Sequence, residues 1–409
     1  MSEVTNKIQF IQNKRYKPTT DKCSKFLSGK ELKKVRHIHD SIPQCKATPL
    51  VHLTNLSEYL GVKSIFVKNE SKRGSINSFK ILGATYGISK LICDLLGIEV
   101  DKITFDFLKT EEIREKIQEI TLATCSDGNH GRGVAWTANQ LGLRAIIYMP
   151  KGTTQSRVKN IEALGAEVIV TDLNYDDTVR YVNKIANKNN WYIVQDTSWE
   201  GYEEVPNSII QGYSTMGMEA IEQLQDLGVQ IPTHIFVQAG VGAMAGGVIG
   251  AIANYYNGKM PITIVMEPTN AACYFKSAEI NDGMPHNVSG NLESIMAGLA
   301  CGEPVKVGWK IIRDFVYGFC TCPDYITANG MRILGNPLGE DERIIAGESA
   351  GIGIGLLSMI MINTDYGHLK QLLNLNKESV ILIFSTEGDT DPTNYRRIVW
   401  DGAFSFIEG

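Results

Sequence analysis

Residue types that can do chemistry are concentrated in three short segments of the chain. The segments are Asn69–Lys80, Thr124–Gly133 and Gln238–Gly247. Each one follows a run of β-branched and aromatic residues and leads into a helical pattern, so each connects a strand to a helix. Because the free N–H groups of a helix amino terminus bind anions, the two glycine-rich segments predict sites for carboxylate or phosphate groups.

Lys80 closes the first segment and begins a predicted helix with the sequence ILGATYGISKLI. A free ammonium group is poorly placed there, since the helix macrodipole disfavours a cation in the first turn. A lysine that forms an imine, or one kept neutral by burial, suits the position better. A surface lysine whose apolar stem lies along the protein is the structural alternative, and the position alone leaves both interpretations open.

The second segment places Ser126-Asp127-Gly128-Asn129-His130 in front of the helical pattern VAWTANQLG. Backbone N–H groups in such a loop can bind a carboxylate. Asp127 has a structural alternative as a helix N-cap. The density of polar side chains favours a binding site over a simple turn.

The third segment fits two different ligands. Gly240, Gly242 and Ala245 satisfy the G-x-G-x-x-G/A pattern of dinucleotide-binding proteins, and Glu267 ends the next strand close to the expected distance. The same loop suits a single phosphate group equally well. This segment alone leaves NAD and a lone phosphate open.

In their order along the chain, these segments resemble the fold type II pyridoxal-phosphate enzymes, the group of the tryptophan synthase β chain and the serine and threonine dehydratases. In that family a Schiff-base lysine, an S-x-G-N-H loop, a glycine-rich phosphate loop and a Ser or Thr at the pyridine nitrogen follow one another. Ser385 and Thr386 supply the fourth feature, directly after the strand pattern VILIF. The resemblance extends over roughly residues 45–400 and implies pyridoxal 5′-phosphate as the cofactor.

Within that family the sequence is similar to the diaminopropionate ammonia-lyases. Asp127 stands where dehydratases carry a second serine, Gln195–Tyr202 has the sequence QDTSWEGY, and Ser385–Asp389 has STEGD where dehydratases commonly have S-G-G-N. The resemblance implies α,β-elimination of D- and L-2,3-diaminopropionate to pyruvate and ammonia. The alternatives are a serine or threonine dehydratase on the same fold, an NAD-dependent oxidoreductase and, outside enzymology, a catalytically inactive amino-acid-binding sensor.

The resemblance also implies roles for individual residues. Lys80 is the Schiff-base lysine and the base on one face of the substrate, and Asp127 is the base on the opposite face. Asp196 contacts the β-ammonium group or assists proton transfer, with a structural cap as its alternative. The implied cofactor ligands include Lys80 and Phe79, with Asn129 at the pyridine 3′-oxygen. The phosphate is bound by the backbone of Gly240, Val241, Gly242, Ala243 and Met244. At the ring nitrogen the resemblance implies Ser385 or Thr386, and the motif alignment favours Ser385. The implied ligands of the substrate carboxylate are Ser126, Gly128, Asn129 and His130, and no metal site is predicted.

The elements that must position these residues alternate between strands and helices. Strands are predicted at 64–68, 120–124, 144–149, 167–171, 192–195, 234–238, 262–266 and 380–384. Helices are predicted at 78–91, 131–141, 154–164, 175–189, 209–225 and 243–256. This βαβα order indicates an α/β protein with open, doubly wound parallel sheets. The resemblance implies two such sheets, in a large and a small domain, with the active site between them.

The expected domains divide the chain unequally. A discontinuous large domain that binds pyridoxal phosphate comprises residues 1–88 and 206–409, and a small domain of residues 89–205 carries the Ser126–His130 loop. The stretch 93–119, rich in acids and lysines, is interpreted as a solvated insertion. Segment 235–258 lacks Asp, Glu, Lys and Arg and is long enough to cross a bilayer, but its many glycines indicate a strand, a loop and a buried helix.

Composition and charge exclude several classes of function. The 409 residues carry 40 Lys and Arg against 45 Asp and Glu, and the formal net charge of −5 argues against a nucleic-acid partner. The amino terminus has no apolar signal segment, which predicts a cytoplasmic protein without a membrane partner. The close pair Cys320 and Cys322 has no second pair to complete a zinc site, so we expect the eight cysteines to be reduced. The expected partner is a small-molecule amino-acid substrate, and the resemblance implies a homodimer.

Overall fold

A computed structural model describes residues 7–17 and 25–405 of the chain. The strands in these ranges are β1 (Gln9–Gln12), β2 (Leu50–His52), β3 (Ser64–Asn69), β4 (Thr121–Cys125), β5 (Arg144–Met149), β6 (Glu167–Val170), β7 (Tyr192–Ile193), β8 (His234–Gln238), β9 (Ile262–Pro268), β10 (Gly318–Cys322) and β11 (Val380–Ser385). The helices are α1 (Gly29–Asp40), α2 (Thr54–Leu60), α3 (Lys80–Leu96), α4 (Glu111–Ile117), α5 (Asn129–Leu141), α6 (Gln155–Glu162), α7 (Tyr175–Asn189), α8 (Glu204–Asp226), α9 (Ala243–Tyr255), α10 (Cys273–Ile280), α11 (Lys306–Phe315), α12 (Asp324–Gly335), α13 (Ile352–Ile362), α14 (Gly367–Leu372) and α15 (Pro392–Val399).

The strands form two sheets. A seven-stranded sheet has the order β1-β10-β9-β8-β11-β3-β2, in which the five inner strands are parallel and the two edge strands are antiparallel. A four-stranded sheet has the order β6-β5-β4-β7 and is wholly parallel. The predicted α/β class with two open, largely parallel sheets is therefore confirmed.

Helices cover both faces of the large sheet. Val237 of β8 and Leu382 of β11 belong to the core shared with α8 and α9, whereas Phe236 and Ile383 belong to the core shared with α12 and α13. A strand buried on both faces needs apolar residues at consecutive positions, which explains why these strands have continuous apolar sequences.

The two sheets use separate parts of the chain. All four strands of the small sheet lie within residues 89–205, and the strands of the large sheet lie outside that range. Helix α3 runs across the expected boundary at residue 88 and packs against both α5 and α8. The division into two domains at these residues stays a prediction.

The stretch 93–119 is not the solvated insertion that its charges suggested. Phe105, Leu108 and Ile113 are buried, and the ring of Phe105 stacks on Trp136 of α5 at a centroid distance of 6.3 Å. The acids and lysines of this stretch alternate with apolar residues that pack beneath them, so composition alone overstated its exposure.

Two further predictions concern buried segments. Segment 235–258 forms most of β8, a loop and the buried helix α9, as predicted, and no helix among the described residues is long and apolar enough to span a membrane. Cys320 and Cys322 lie in β10, an inner strand that the sequence analysis missed because GFCTC lacks an extended β-branched run. The seven cysteines in the described ranges are free and buried, and Cys23 lies outside those ranges.

Candidate active site

A cavity lies where the loops after β4, β8 and β11 meet the amino terminus of α3. Its lining includes predicted residues from both sheets: Phe79, Lys80, Asp127, Asn129, His130, Asp196, Gly240, Val241, Gly242, Ala243, Met244 and Thr386. Three other predicted residues, Ser126, Gly128 and Ser385, belong to the described chain but do not line the cavity. The structure therefore brings most of the candidate residues together between the two sheets.

Lys80 is the first residue of α3, and its ammonium group forms an ion pair inside the cavity. Lys80 Nζ lies 2.5 Å from Asp196 Oδ2, and the two side chains are 14% and 2% exposed. Burial alone would lower the pKa of Lys80, but the charge of Asp196 reverses this effect and raises the pKa above its usual value. Burial would likewise raise the pKa of Asp196, yet Lys80 lowers it to about 2. Lys80 is thus neither a surface lysine nor a neutral one, and Asp196 offsets its unfavourable helix position.

The carboxylate of Asp196 is placed by its neighbour Gln195. The Gln195 side chain donates to Tyr175 Oη at 2.9 Å and to Asp196 Oδ1 at 3.5 Å, and its Oε1 accepts from Thr124 Oγ1 at 2.8 Å. Tyr202 Oη in turn accepts from the backbone N–H of Gln195 at 2.8 Å. Asp196 is paired with the side chain of Lys80, which favours a role in the cavity over the structural-cap alternative. The block Gln195–Tyr202 positions this one acidic group.

His130 is oriented by a carbonyl group behind the cavity. Its Nε2 lies 2.7 Å from the carbonyl oxygen of Val194, and because a carbonyl only accepts, Nε2 carries the proton. Burial lowers the pKa of His130 and keeps the ring neutral, so Nδ1, 3.9 Å from Asp196 Oδ2, bears a lone pair. The ring itself is therefore not oriented to donate to a substrate carboxylate, and a contribution of His130 to carboxylate binding through its backbone stays a prediction.

The loop before α5 is held in shape by Ser126. The Ser126 hydroxyl accepts from the backbone N–H groups of Gly128 at 2.9 Å and Gly131 at 2.7 Å, and Gly128 has φ +150°, which favours glycine. The oxygen of this hydroxyl therefore stabilises the loop, while its proton stays available to donate. Asp127 is consequently not the N-cap, and its side chain lines the cavity, with Oδ2 3.9 Å from Arg157 Nη1.

Asn129 makes a contact that the sequence analysis missed. Its Nδ2 donates to Glu387 Oε2, and its Oδ1 accepts from Arg132 Nη1 at 3.4 Å. Glu387 belongs to the STEGD segment, where its replacement of a small residue was the available signal. Ser349 is also new to the site, since its backbone N–H donates to Glu387 Oε1 at 2.9 Å and its side chain lines the cavity.

The glycine-rich loop leads into α9 as a phosphate site requires. The first N–H groups of α9 have no acceptor within the helix, and residues Gly240–Ala245 line the cavity. Gly242 has φ +87°, and a Cβ there would lie 1.9 Å from Tyr274 Oη. Tyr274 Oη donates to the Val241 carbonyl at 2.8 Å, which fixes the loop.

Glu267 does not face this loop, so the dinucleotide interpretation is wrong. Its carboxylate accepts from the backbone N–H groups of Tyr274 at 2.8 Å and Phe275 at 2.7 Å, at the start of α10. The side chain is fully buried, and burial raises its pKa to about 8. The acid that a ribose would need is instead the cap of a helix.

Two hydroxyl groups compete for the position opposite a pyridine nitrogen. Thr386 lines the cavity, and its Oγ1 accepts from Gln238 Nε2 at 2.9 Å, which leaves its hydroxyl proton to donate elsewhere. Ser385 is fully buried at the end of β11 and does not line the cavity, although its hydroxyl also has no hydrogen-bond partner among the described residues. The geometry favours Thr386 over Ser385, the residue preferred from the motif alignment.

The residues around the cavity fit pyridoxal phosphate. The lysine amine suits its aldehyde, the amino terminus of α9 its phosphate, and a hydroxyl group its ring nitrogen. Gly298 lines the cavity beside two of its polar side chains. A Cβ at this position would lie 3.0 Å from Ser349 Oγ and 3.6 Å from Asp127 Oδ2, so glycine keeps this part of the cavity open. Ser349 is only 5% exposed, and its hydroxyl has no hydrogen-bond partner among the described residues, as expected of a group that meets a ligand.

Comparison with known proteins agrees with this chemistry. Residues 43–384 match the family described as pyridoxal-phosphate dependent enzyme. The chain is 47% identical over 402 residues to a diaminopropionate ammonia-lyase of Escherichia coli (strain K12), which covers 98% of each chain. It is 45% identical to the enzyme of the same name from Salmonella typhimurium, over 97% of this chain and 98% of that one. The crystal structure of the Escherichia coli enzyme in complex with D-serine matches with a TM-score of 0.90 at 46% identity, over 97% and 98% of the two chains. The chain therefore belongs to the pyridoxal-phosphate-dependent enzymes and, within them, to the diaminopropionate ammonia-lyase family.

Proposed function

We propose that the protein catalyses α,β-elimination of D- and L-2,3-diaminopropionate. With one water molecule consumed, each substrate yields pyruvate and two molecules of ammonia. One observation carries the proposal: Lys80, Asp127 and Asp196 line a single cavity, in a chain 47% identical to diaminopropionate ammonia-lyases. Two acids beside a lysine suit a substrate that carries a second amino group.

The residues that line the cavity support a proposed contact for each part of pyridoxal phosphate. Lys80 would bind it covalently, the backbone of Gly240–Met244 would bind the phosphate, and Asn129 and Thr386 would bind the 3′-oxygen and the ring nitrogen. When bound, the cofactor supplies an electron sink that stabilises negative charge at Cα. Phe79 shapes this part of the wall, since its ring lies 4.8 Å from that of Tyr213 and 5.3 Å from Lys80 Nζ.

The protein's own residues handle the protons. We assign Lys80 Nζ as the base that takes the Cα proton of the L isomer and Asp127 as the base that takes that of the D isomer. Asp196 Oδ2, at 2.5 Å, stabilises the ammonium form of Lys80 after the transfer. The β-amino group must depart as ammonia, because an amide ion is a very poor leaving group, so it needs a proton from one of these groups.

The choice of substrate provides the most direct test of the proposed function. Diaminopropionate, serine and threonine are assayed side by side for pyruvate and 2-oxobutyrate. We expect pyruvate from diaminopropionate as the main product, because the two acids can bind or protonate a β-amino group. A strong preference for threonine would indicate a dehydratase, and absence of turnover with a bound amino acid would indicate a sensor.

Replacement of Asp196 by asparagine tests its pairing with Lys80. We expect kcat to fall about 30-fold, the equivalent of about 2 kcal/mol for a charge-assisted hydrogen bond. The pKa of Lys80 should also fall, because its main stabilising charge is lost. Since Lys80 must be unprotonated to act as a base, the limb of the pH profile in which activity rises with pH should move to lower pH. Steady-state kinetics from pH 6 to 10 measure both effects. An unchanged pH profile would show that Asp196 does not control the ionisation of Lys80.

We also propose a cytoplasmic homodimer. The free, buried thiols of the described cysteines are consistent with a reducing compartment, and the homodimer rests on resemblance to the family. Light scattering after size exclusion measures the mass in solution.

A further inference from the structure

Glu387 is a buried carboxylate held between three segments of the site. Glu387 is 6% exposed, and its Oε1 accepts a hydrogen bond from the backbone N–H of Ser349 at 2.9 Å. The backbone of Glu387 bridges to Ser78, two residues before Lys80. Gly347 makes room for this side chain, because a Cβ at Gly347 would lie 2.8 Å from Glu387 Cγ. The position of the carboxylate is therefore set by packing on several sides.

The second oxygen of this carboxylate determines the orientation of the Asn129 amide. Glu387 Oε2 accepts from Asn129 Nδ2, and Arg132 Nη1 donates to Asn129 Oδ1 from the other end. An amide nitrogen carries two hydrogens, so one remains for the cavity that Asn129 lines. A neutral Glu387 with its proton on Oε2 would favour the amide oxygen instead and would turn the amide around.

We propose that Glu387 is a positioning residue, whose ionised carboxylate orients Asn129 so that one amide N–H faces the 3′-oxygen of the bound cofactor. This proposal rests on the proposed function, because it requires that pyridoxal phosphate binds in this cavity. It does not depend on which amino acid is the substrate. Glu387 lines the same cavity, and in this proposal it acts on the cofactor through Asn129.

The charges around Glu387 set the pH at which its carboxyl group ionises, and therefore the pH above which it orients Asn129, near neutrality. Burial and the neighbouring Glu348 raise the pKa of Glu387 to about 7, against the opposing effects of the Ser349 N–H group and Arg157. The charged groups that face it from the surrounding elements are Arg132 of α5, Arg157 of α6, Glu348 and Asp127. Below about pH 7 the carboxyl group is protonated and the orienting contact is lost, and above it the contact is present.

The holoenzyme allows this to be tested by absorption spectroscopy as well as by kinetics. In the wild type, the visible band of the bound cofactor should change with pH with a midpoint near 7, because a hydrogen bond to the 3′-oxygen appears or disappears. In Glu387→Gln we expect the amplitude of this change to fall at least 10-fold and cofactor loss on dilution to increase. The pH profile of kcat should lose its limb near pH 7.

Two variants serve as controls. Glu348→Gln removes a nearby buried acid that accepts from Asn394 and does not contact Asn129, so the titration should remain but move to lower pH. Asn129→Ala should abolish the pH-dependent change of the visible band. Adding Glu387→Gln to Asn129→Ala should have no further effect on cofactor retention, because the effects of two substitutions are not additive when one residue acts through the other.

The outcomes separate this inference from the proposed function. A Glu387→Gln holoenzyme with the wild-type titration, or additive effects in the double variant, would overturn the positioning role. If Glu387→Gln does not fold, Asn129→Ala still decides, since a titration that persists without Asn129 contradicts the proposal. A wild type that shows the titration but makes no pyruvate from diaminopropionate would count against the proposed function alone.

Discussion

Replacing Lys80 by alanine is expected to lower the turnover of diaminopropionate by about 10⁴-fold or more. The substitution removes both the covalent attachment of the cofactor and the base that serves the L isomer. Steady-state pyruvate formation measures the loss, and the visible band of the bound cofactor should disappear or shift with it. Full activity in Lys80→Ala would end the assignment of Lys80 as the cofactor-binding lysine.

The same variant should also lose stability, which its sequence position does not suggest. Lys80 Nζ is the ion-pair partner of Asp196, whose side chain is 2% exposed, so the alanine variant leaves a buried carboxylate unpaired. An uncompensated buried charge costs about 3 kcal/mol or more. We expect a lower Tm for Lys80→Ala and partial recovery in the double variant Lys80→Ala, Asp196→Asn. Lys72→Ala, at an exposed position in the same segment, serves as the control and should leave Tm unchanged.

The sequence predicted best those elements whose pattern is local and continuous. Helix α7 (Tyr175–Asn189) and strands β5 and β8 have the predicted limits, because an amphipathic or wholly apolar run defines each of them. Strand β10 was missed because its burial comes from its place between β1 and β9 and not from its own β propensity. The family motifs likewise located the cavity, since each one lies in a loop at the carboxyl end of a strand.

Side-chain contacts between distant parts of the chain could not be predicted from the sequence pattern. Lys80 and Asp196 are 116 residues apart, and Asn129 and Glu387 are 258 apart, so no spacing rule connects either pair. The motif alignment prefers Ser385 at the ring nitrogen, whereas the cavity geometry favours Thr386, and the choice between them stays a prediction. Ser385 is the last residue of β11 and Thr386 follows the strand, so a shift of one residue separates a position that lines the cavity from one that does not.

The role of Asp127 is expected to differ between the two isomers of diaminopropionate. Asp127 and Lys80 line the same cavity and, as we propose, lie on opposite faces of Cα, so that each isomer presents its proton to a different base. Asparagine keeps the shape and one acceptor oxygen but removes the basic carboxylate. Arg157 still donates to the backbone carbonyl of residue 127, at 3.1 Å in the structure, so the loop should keep its conformation. We expect Asp127→Asn to lower kcat for the D isomer by about 10²-fold or more, the scale of a positioned general base.

The L isomer should lose much less, because its proton goes to Lys80 Nζ. Its KM should nevertheless rise, since removal of a negative charge beside the β-ammonium group weakens binding. Separate kcat and KM values for both isomers, in the wild type and in Asp127→Asn, decide the assignment, with the exposed Asp172→Asn as a matched control. An equal fall in kcat for both isomers would show that Asp127 orients the substrate or protonates the departing amine. In that case the base for the D isomer would have to be sought among the other acidic groups of the cavity, of which Asp196 is already paired with Lys80 and Glu387 with Asn129.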